Sequence, residues 1–157
     1  MACRTADILA SPAVPGVTTA RIRDAANLGD FARINAENWS PPDVLVERYY
    51  ARAAESLLSE DSPLRFYLAW RNGEAVSAIE VAVAGSALGV FNLSTRLEHR
   101  GHGIGAALLT RSLRDAANEA TTTTAVLQAA PAAAGLYRRI GFTKVGRITE
   151  FKSVRSV

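Results

Sequence analysis

Cysteine is nearly absent from this chain of 157 residues, where Cys3 stands alone. One thiol excludes an internal disulfide framework and any cysteine-built zinc site. Histidine is almost as scarce. His99 and His102 flank Arg100, so a metal centre would need carboxylates gathered by the fold, and no metal is expected. Long apolar runs are missing too. The longest uncharged stretch, Ala120 to Tyr137, holds four threonines, a glutamine and a proline, which excludes a membrane span there. Met1 to Thr18 is mildly apolar but broken by Pro12, Pro15 and Gly16, without the apolar core of a signal peptide. The expectation is a cytoplasmic protein with no membrane association, a loosely ordered leader over residues 1–18 and one domain over residues 19–157.

Charge of one sign is lacking over most of the chain. The formal total is +3, but residues 1–137 carry 12 basic and 14 acidic groups, a net of −2. Residues 138–157 carry six basic groups (Arg138, Arg139, Lys144, Arg147, Lys152, Arg155) against Glu150, a net of +5. A protein without a general positive coat argues against nucleic acid as a partner and leaves one basic end to explain.

What is present reads as a mixed α/β chain. Thr18 to Arg23 is a first strand. Asn27 with Asp30 marks a helix start that Phe31, Ile34 and Asn38/Trp39 continue on one face, and Pro41-Pro42 breaks it. Asp43 caps a second helix through Leu45, Tyr49, Ala53 and Leu57. Arg65–Arg71, Ala75–Val83 and Leu88–Thr95 form an antiparallel meander turned by Asn72-Gly73 and Gly85-Ser86. From Gly103, the residues Ile104, Leu108, Leu109, Leu113, Ala116 and Ala117 make a helical stripe. Ala125–Ala129 is a short strand, Pro131 opens a helix that Gly141 closes, and Phe142–Lys152 is a last strand. The order is β-α-α-β-β-β-α-β-α-β around a central sheet, partly antiparallel and partly parallel, flanked by helices.

The chemistry lies in the segment from Leu93 to Leu109. A strand feeds a loop with Gly101, Gly103 and Gly105, and an amphipathic helix follows at once. Glycines let consecutive N–H groups converge, and a helix N-terminus adds partial positive charge: together they bind anions. Arg100 adds a full charge, and His102 a further donor. The same residues, Gly101-His-Gly103-Ile-Gly105-Ala106, fit the dinucleotide pattern G-x-G-x-x-A. Yet the loop follows an antiparallel meander, and the strand after it lacks the acidic residue that a nicotinamide ribose requires.

Arg100-Gly-His-Gly103-Ile-Gly105 resembles the Q/R-x-x-G-x-G/A signature of the GCN5-related N-acetyltransferases. Leu136-Tyr137-Arg-Arg-Ile-Gly141-Phe142 is similar to that family's later LY…GF segment, at the family's spacing. The resemblance covers roughly Ala20 to Lys152 and implies a single GNAT-type domain using acetyl-CoA. Backbone groups of Leu93, Ser94 and Thr95 would pair with the pantetheine arm. The stretch Gly101, His102, Gly103, Ile104, Gly105 and Ala106, with Arg100, would hold the pyrophosphate. Tyr137 would be the general acid that protonates the departing thiolate, although the stripe with Leu136 and Ile140 also suits a core aromatic. Part of the basic end then reads as a field for a phosphorylated cofactor, with Arg138 and Arg139 beside the cleft.

The chain departs from the family pattern at three places. Leu97 stands where many members have proline, Ala129-Ala130-Pro131-Ala132 replaces an asparagine, and Ala87-Leu88-Gly89 holds no carboxylate for a general base. Glu80 is the best remaining carboxylate, being a charge on a strand of Val, Ala and Ile; Glu37, Asn92 and His99 are further candidates. Trp39, Tyr49, Tyr50 and Phe66 are available to line an acceptor pocket. The expected activity is acetyl transfer to a primary amine, a small molecule or peptide, by direct attack in a ternary complex. A non-catalytic acyl-CoA-binding module and an enzyme for a macromolecular amine (a protein N-terminus or aminoacyl-tRNA) are the alternatives. A homodimer covering the last sheet edge is a further expectation.

Overall fold

The computed structural model describes residues 1–149 and residue 151. Its centre is a six-stranded mixed sheet in the order β1-β6-β5-β4-β3-β2. The strands are β1 (Ala2–Arg4), β2 (Val17–Arg21), β3 (Leu64–Arg71), β4 (Glu74–Ala84), β5 (Ala87–Thr95) and β6 (Thr124–Leu127). Four helices cover it: α1 (Ala25–Ala36), α2 (Val44–Leu58), α3 (Ile104–Ala120) and α4 (Ala134–Arg139). The fold class is the mixed α/β architecture expected.

Local chemistry sets most of these boundaries. Asn72 and Gly73 both take positive φ, 53° and 82°, which is the two-residue turn that matches the twist of a β3–β4 hairpin. Asp43 caps α2 by accepting from the Leu45 amide at 2.9 Å. The α1 cap lies three residues earlier than the sequence suggested: Asp24 is extended, and its carboxylate takes the Asn27 amide at 2.9 Å. Pro131–Ala133 forms a 3-10 turn leading into α4, and Gly141 leaves that helix at φ 110°.

Each face of the sheet has its own core. Leu28, Phe31 and Ile34 of α1 pack with Tyr50 and Leu57 of α2 on Phe66, Leu68 and Ala78. On the opposite face Ile104, Leu108, Leu109 and Leu113 of α3 pack with Tyr137 of α4 on Tyr67, Ile79, Val81 and Leu88.

Two expectations are corrected. The leader is not loose. Ala2–Arg4 pairs antiparallel with Val126, Ala125 and Thr124, the Met1 amino group reaches the Leu127 carbonyl at 2.6 Å, and Ile8 is buried. The domain therefore begins well before residue 19. The last strand, expected over Phe142–Lys152, is absent among the described residues; Glu150 and Lys152 lie outside them. The reason is positional: β1 already occupies the edge beside β6. Only Thr143 bridges outward to Ala2, through backbone bonds of 2.9 and 2.8 Å.

The feature that places the site is a split in the sheet. Strand β6 runs parallel to β5 only opposite Ala87–Val90. Beyond Val90, β5 continues to Thr95 paired with β4 alone. A bulge interrupts that pairing: Ala78 faces Ser94 while Glu80 faces Phe91, giving β5 one extra residue, and Asn92 takes φ 50°.

Candidate functional site

The open edge of β5 faces the start of α3 and the side of α4, and together they enclose a cleft of about 570 Å³. Leu93, Ser94, Thr95, Arg100, Gly101, Gly103, Ile104, Gly105, Ala106 and Tyr137 all line it. The expected cofactor residues are thus gathered in one place, with one exception. His102 is exposed on the loop and does not line the cleft.

The loop is shaped for an anion. Gly101 and Gly103 both take φ 79°, a left-handed conformation that side chains resist. The first α3 bond runs from the Ala107 amide to the Gly103 carbonyl, and the amides of residues 101–106 have no protein acceptor among the described residues. Several N–H groups at a helix N-terminus, with its partial positive charge, therefore face the cleft end. A Cβ on Gly105 would lie 3.1 Å from Thr95 Oγ1, so glycine is what lets helix and strand approach. Arg100 donates from Nε to the Thr95 carbonyl at 2.8 Å, which ties the loop to the end of β5.

Behind β5 lies a polar network that the sequence reading missed. Ser77, wholly buried on β4, donates to the Ser94 carbonyl at 2.7 Å and contacts Thr95 Oγ1 at 2.8 Å. Asn38 donates to Ser94 Oγ at 2.6 Å, and Ser94 Oγ donates to Asn35 Oδ1 at 3.2 Å. The signal was available: Ser77 is a polar residue in a strand otherwise built for burial. These bonds fix the stretch of β5 that has lost its β6 partner. Tyr137 enters from α4, nearly buried, its ring 6.2 Å from Phe142. Burial raises its phenol pKa above the ordinary value, so it remains a proton donor at neutral pH.

Glu80 is elsewhere, on the α1/α2 face of the sheet, and does not line the cleft. Its Oε2 accepts from Tyr50 Oη at 3.1 Å and from Asn92 Nδ2 at 3.1 Å. Burial first, and the adjacent Glu80 second, push the Tyr50 phenol pKa up, so Tyr50 acts as a donor here. The other candidate bases are placed differently. Glu37 is paired with Arg96 at 3.2 Å, Asn92 is a partner of Glu80, and His99 lines the cleft with Nδ1 buried and without a partner among the described residues. Of the expected acceptor-side aromatics, Phe66 is fully buried in the core, Tyr50 is buried against Glu80, and Trp39 and Tyr49 are exposed.

A mixed sheet that splits beside a helix N-terminus rich in free amides, with a phenol in the same cleft, defines the acetyltransferase fold of the GNAT class. The acetyltransferase (GNAT) domain model matches residues 30–157, and the chain belongs to that family. No curated protein matches the sequence. Among solved structures, a GCN5-related N-acetyltransferase from Kribbella flavida is 24% identical with a TM-score of 0.68, over 89% of this chain. This chain spans about half, 51%, of that protein. An aminoglycoside acetyltransferase from an uncultured soil metagenomic sample is 16% identical, TM-score 0.70, covering 90% of this chain and 97% of its own. A protein described as a predicted acetyltransferase with acetyl-CoA, from Clostridium acetobutylicum, is 17% identical, TM-score 0.69, covering 87% and 96%. At these identities the likeness shows the fold alone. No helix among the described residues is long and apolar enough to cross a membrane.

Proposed function

We propose that this protein transfers the acetyl group of acetyl-CoA to a primary amine, by direct attack with both partners bound. The observation that carries this reading is the set of unpaired amides over residues 101–106 at the head of α3, in one cleft with the open edge of β5 and Tyr137. The fit to a phosphorylated cofactor rests on those amides, on the left-handed glycines and on Arg100 and Arg139 at the same cleft. The amides from Gly101 to Ala106 would hold the pyrophosphate, and the backbone of Leu93–Thr95 would hold the pantetheine arm as an added strand would.

Acetyl-CoA supplies an acetyl group already activated as a thioester. The protein's own contribution is to orient and to move protons. The Ser77–Ser94–Asn38 network holds β5 still, so that the amine meets a fixed target, which converts a bimolecular encounter into an oriented one. Tyr137 Oη would supply a proton to the leaving sulfur, stabilising charge that arises only in the transition state. Glu80 takes a proton from the incoming ammonium. Asn92, which bonds Glu80, and Ser94, which lines the cleft, lie two residues apart on β5, so the Glu80 cluster adjoins the cleft.

The test is thiol release from acetyl-CoA in the presence of amines. Amine-dependent release supports the reading. A protein that binds acetyl-CoA yet releases no thiol with amines, amino acids, polyamines or peptides is instead a binding module.

A further inference from the structure

Around Glu80 the α1/α2 face carries an arrangement that the transfer chemistry alone does not require. Both donors, Tyr50 and Asn92, bond the same oxygen, Oε2, and no described residue donates to Oε1. Asn92 also donates to Tyr50 Oη at 3.2 Å, so the three groups brace one another. One carboxylate oxygen is thereby fixed and the other left for a guest.

Exposed aromatic rings flank this carboxylate. Phe91 is the cross-strand partner of Glu80, on the same face of the sheet, and is 52% exposed. Its ring lies back over Gly89, where a Cβ would come within 2.7 Å of it, so glycine at that position allows the ring to lie flat on the strand. Tyr49, beside Tyr50 on α2, packs edge-on against it, centroids 5.1 Å apart, and is 58% exposed. A carboxylate beside such rings recognises a cation through charge, through the ring quadrupole and through apolar contact with the rest of the ligand.

Several acids of α1, β4 and the start of α2 are already committed. Asp30 pairs with Arg33 at 2.6 Å, Arg96 holds both Glu37 and Glu74, and Asp43 caps α2. Glu47, one turn before Tyr50 on α2, has no ion-pair partner among the described residues.

We infer that the acceptor is a primary amine with an aromatic or apolar body, its ammonium on Glu80 Oε1 and its body against Phe91 and Tyr49. The inference rests on the acetyl-transfer reading above. Tyr50 and Asn92 are positioning residues that hold Glu80 in place, and Phe91 and Tyr49 set specificity.

Rates of thiol release at saturating acetyl-CoA, with phenethylamine, ethylamine, spermidine and kanamycin as acceptors, test this. The expected kcat/KM for phenethylamine exceeds those of the other three by about tenfold or more. In Phe91→Ala the phenethylamine-to-ethylamine ratio falls about tenfold, and Phe91→Leu restores part of it. Preference for spermidine or kanamycin, equal use of all four, no use of any, or a ratio unmoved by Phe91→Ala would overturn the inference. Calorimetric titration of acetyl-CoA separates the two levels. Binding without the amine preference sinks only the acceptor class, whereas absence of binding sinks the acetyl-transfer reading itself.

Discussion

The two faces of β5 build their halves of the site by different means. On the α3 side the working groups are backbone amides, set by glycines at φ 79° and by the first turn of one helix, all within residues 100–106. On the α1/α2 side they are side chains from α2, β4 and β5, whose partners lie 12, 30 and 42 residues apart. The first half depends on local conformation, and little outside its own loop is needed to form it. The second exists only once three elements have packed. A side-chain substitution should therefore act sharply on the α1/α2 half, while the α3 half should respond where a substitution alters the backbone path or removes Arg100 or Tyr137.

The largest effect expected is at Tyr137. Tyr137→Phe keeps the ring and removes the proton donor, so kcat should fall about a hundredfold with the acetyl-CoA Kd unchanged. Turnover measurements paired with titration check this, and an unchanged kcat would make the ring a packing element instead. Next comes the backbone. Gly103→Val forces a β-branched residue into φ 79°, a strain of about 1–2 kcal/mol, and should weaken acetyl-CoA about tenfold as the loop relaxes. An unchanged Kd would show that the loop geometry does not matter to binding.

Two buried tyrosines sharpen the contrast at the small end. Tyr50 Oη is bonded to Glu80, whereas Tyr67 Oη, on the α3 face, is buried without a partner among the described residues. In thermal unfolding Tyr50→Phe should cost about 1 kcal/mol, and Tyr67→Phe should be neutral or stabilising by about as much. Burial pushes Tyr67 up to about 12, so its protonated form is favoured in the folded state. Its contribution is complete below the ordinary phenol value of about 10 and is lost as pH rises from there to about 12. Unfolding measured across that window should fall less steeply in Tyr67→Phe than in the parent.

This division also explains what could be read from the chain itself. Three glycines beside Arg100, followed by an apolar stripe, announce a tight turn into a helix start, and Asn72-Gly73 announces a hairpin, because each is decided by neighbours in sequence. Asn92 gave less away. It sits in an apolar strand as one of the few side chains that tolerate a left-handed backbone, but nothing local requires the bulge. Strand β1 is three residues long, too short for alternation to show, and forms because β6 offers it an edge. The same contact leaves Phe142–Thr149 with a single bridge in place of a strand, since the site beside β6 is already filled. Glu80 stood out as a charge among apolar residues, yet its partners Tyr50 and Asn92 became visible only when α2 settled on the sheet.

The most direct test of the central claim is titration of acetyl-CoA into the full chain, alongside S-acetylpantetheine, which keeps the thioester arm and lacks the phosphates. The cleft at α3 predicts saturable binding of acetyl-CoA in the micromolar range and at least about a hundredfold weaker binding of the truncated molecule, because the amides of Gly101–Ala106 and Arg100 would lose their anion. No saturable binding of acetyl-CoA at millimolar concentration, or equal affinity for both molecules, would contradict it.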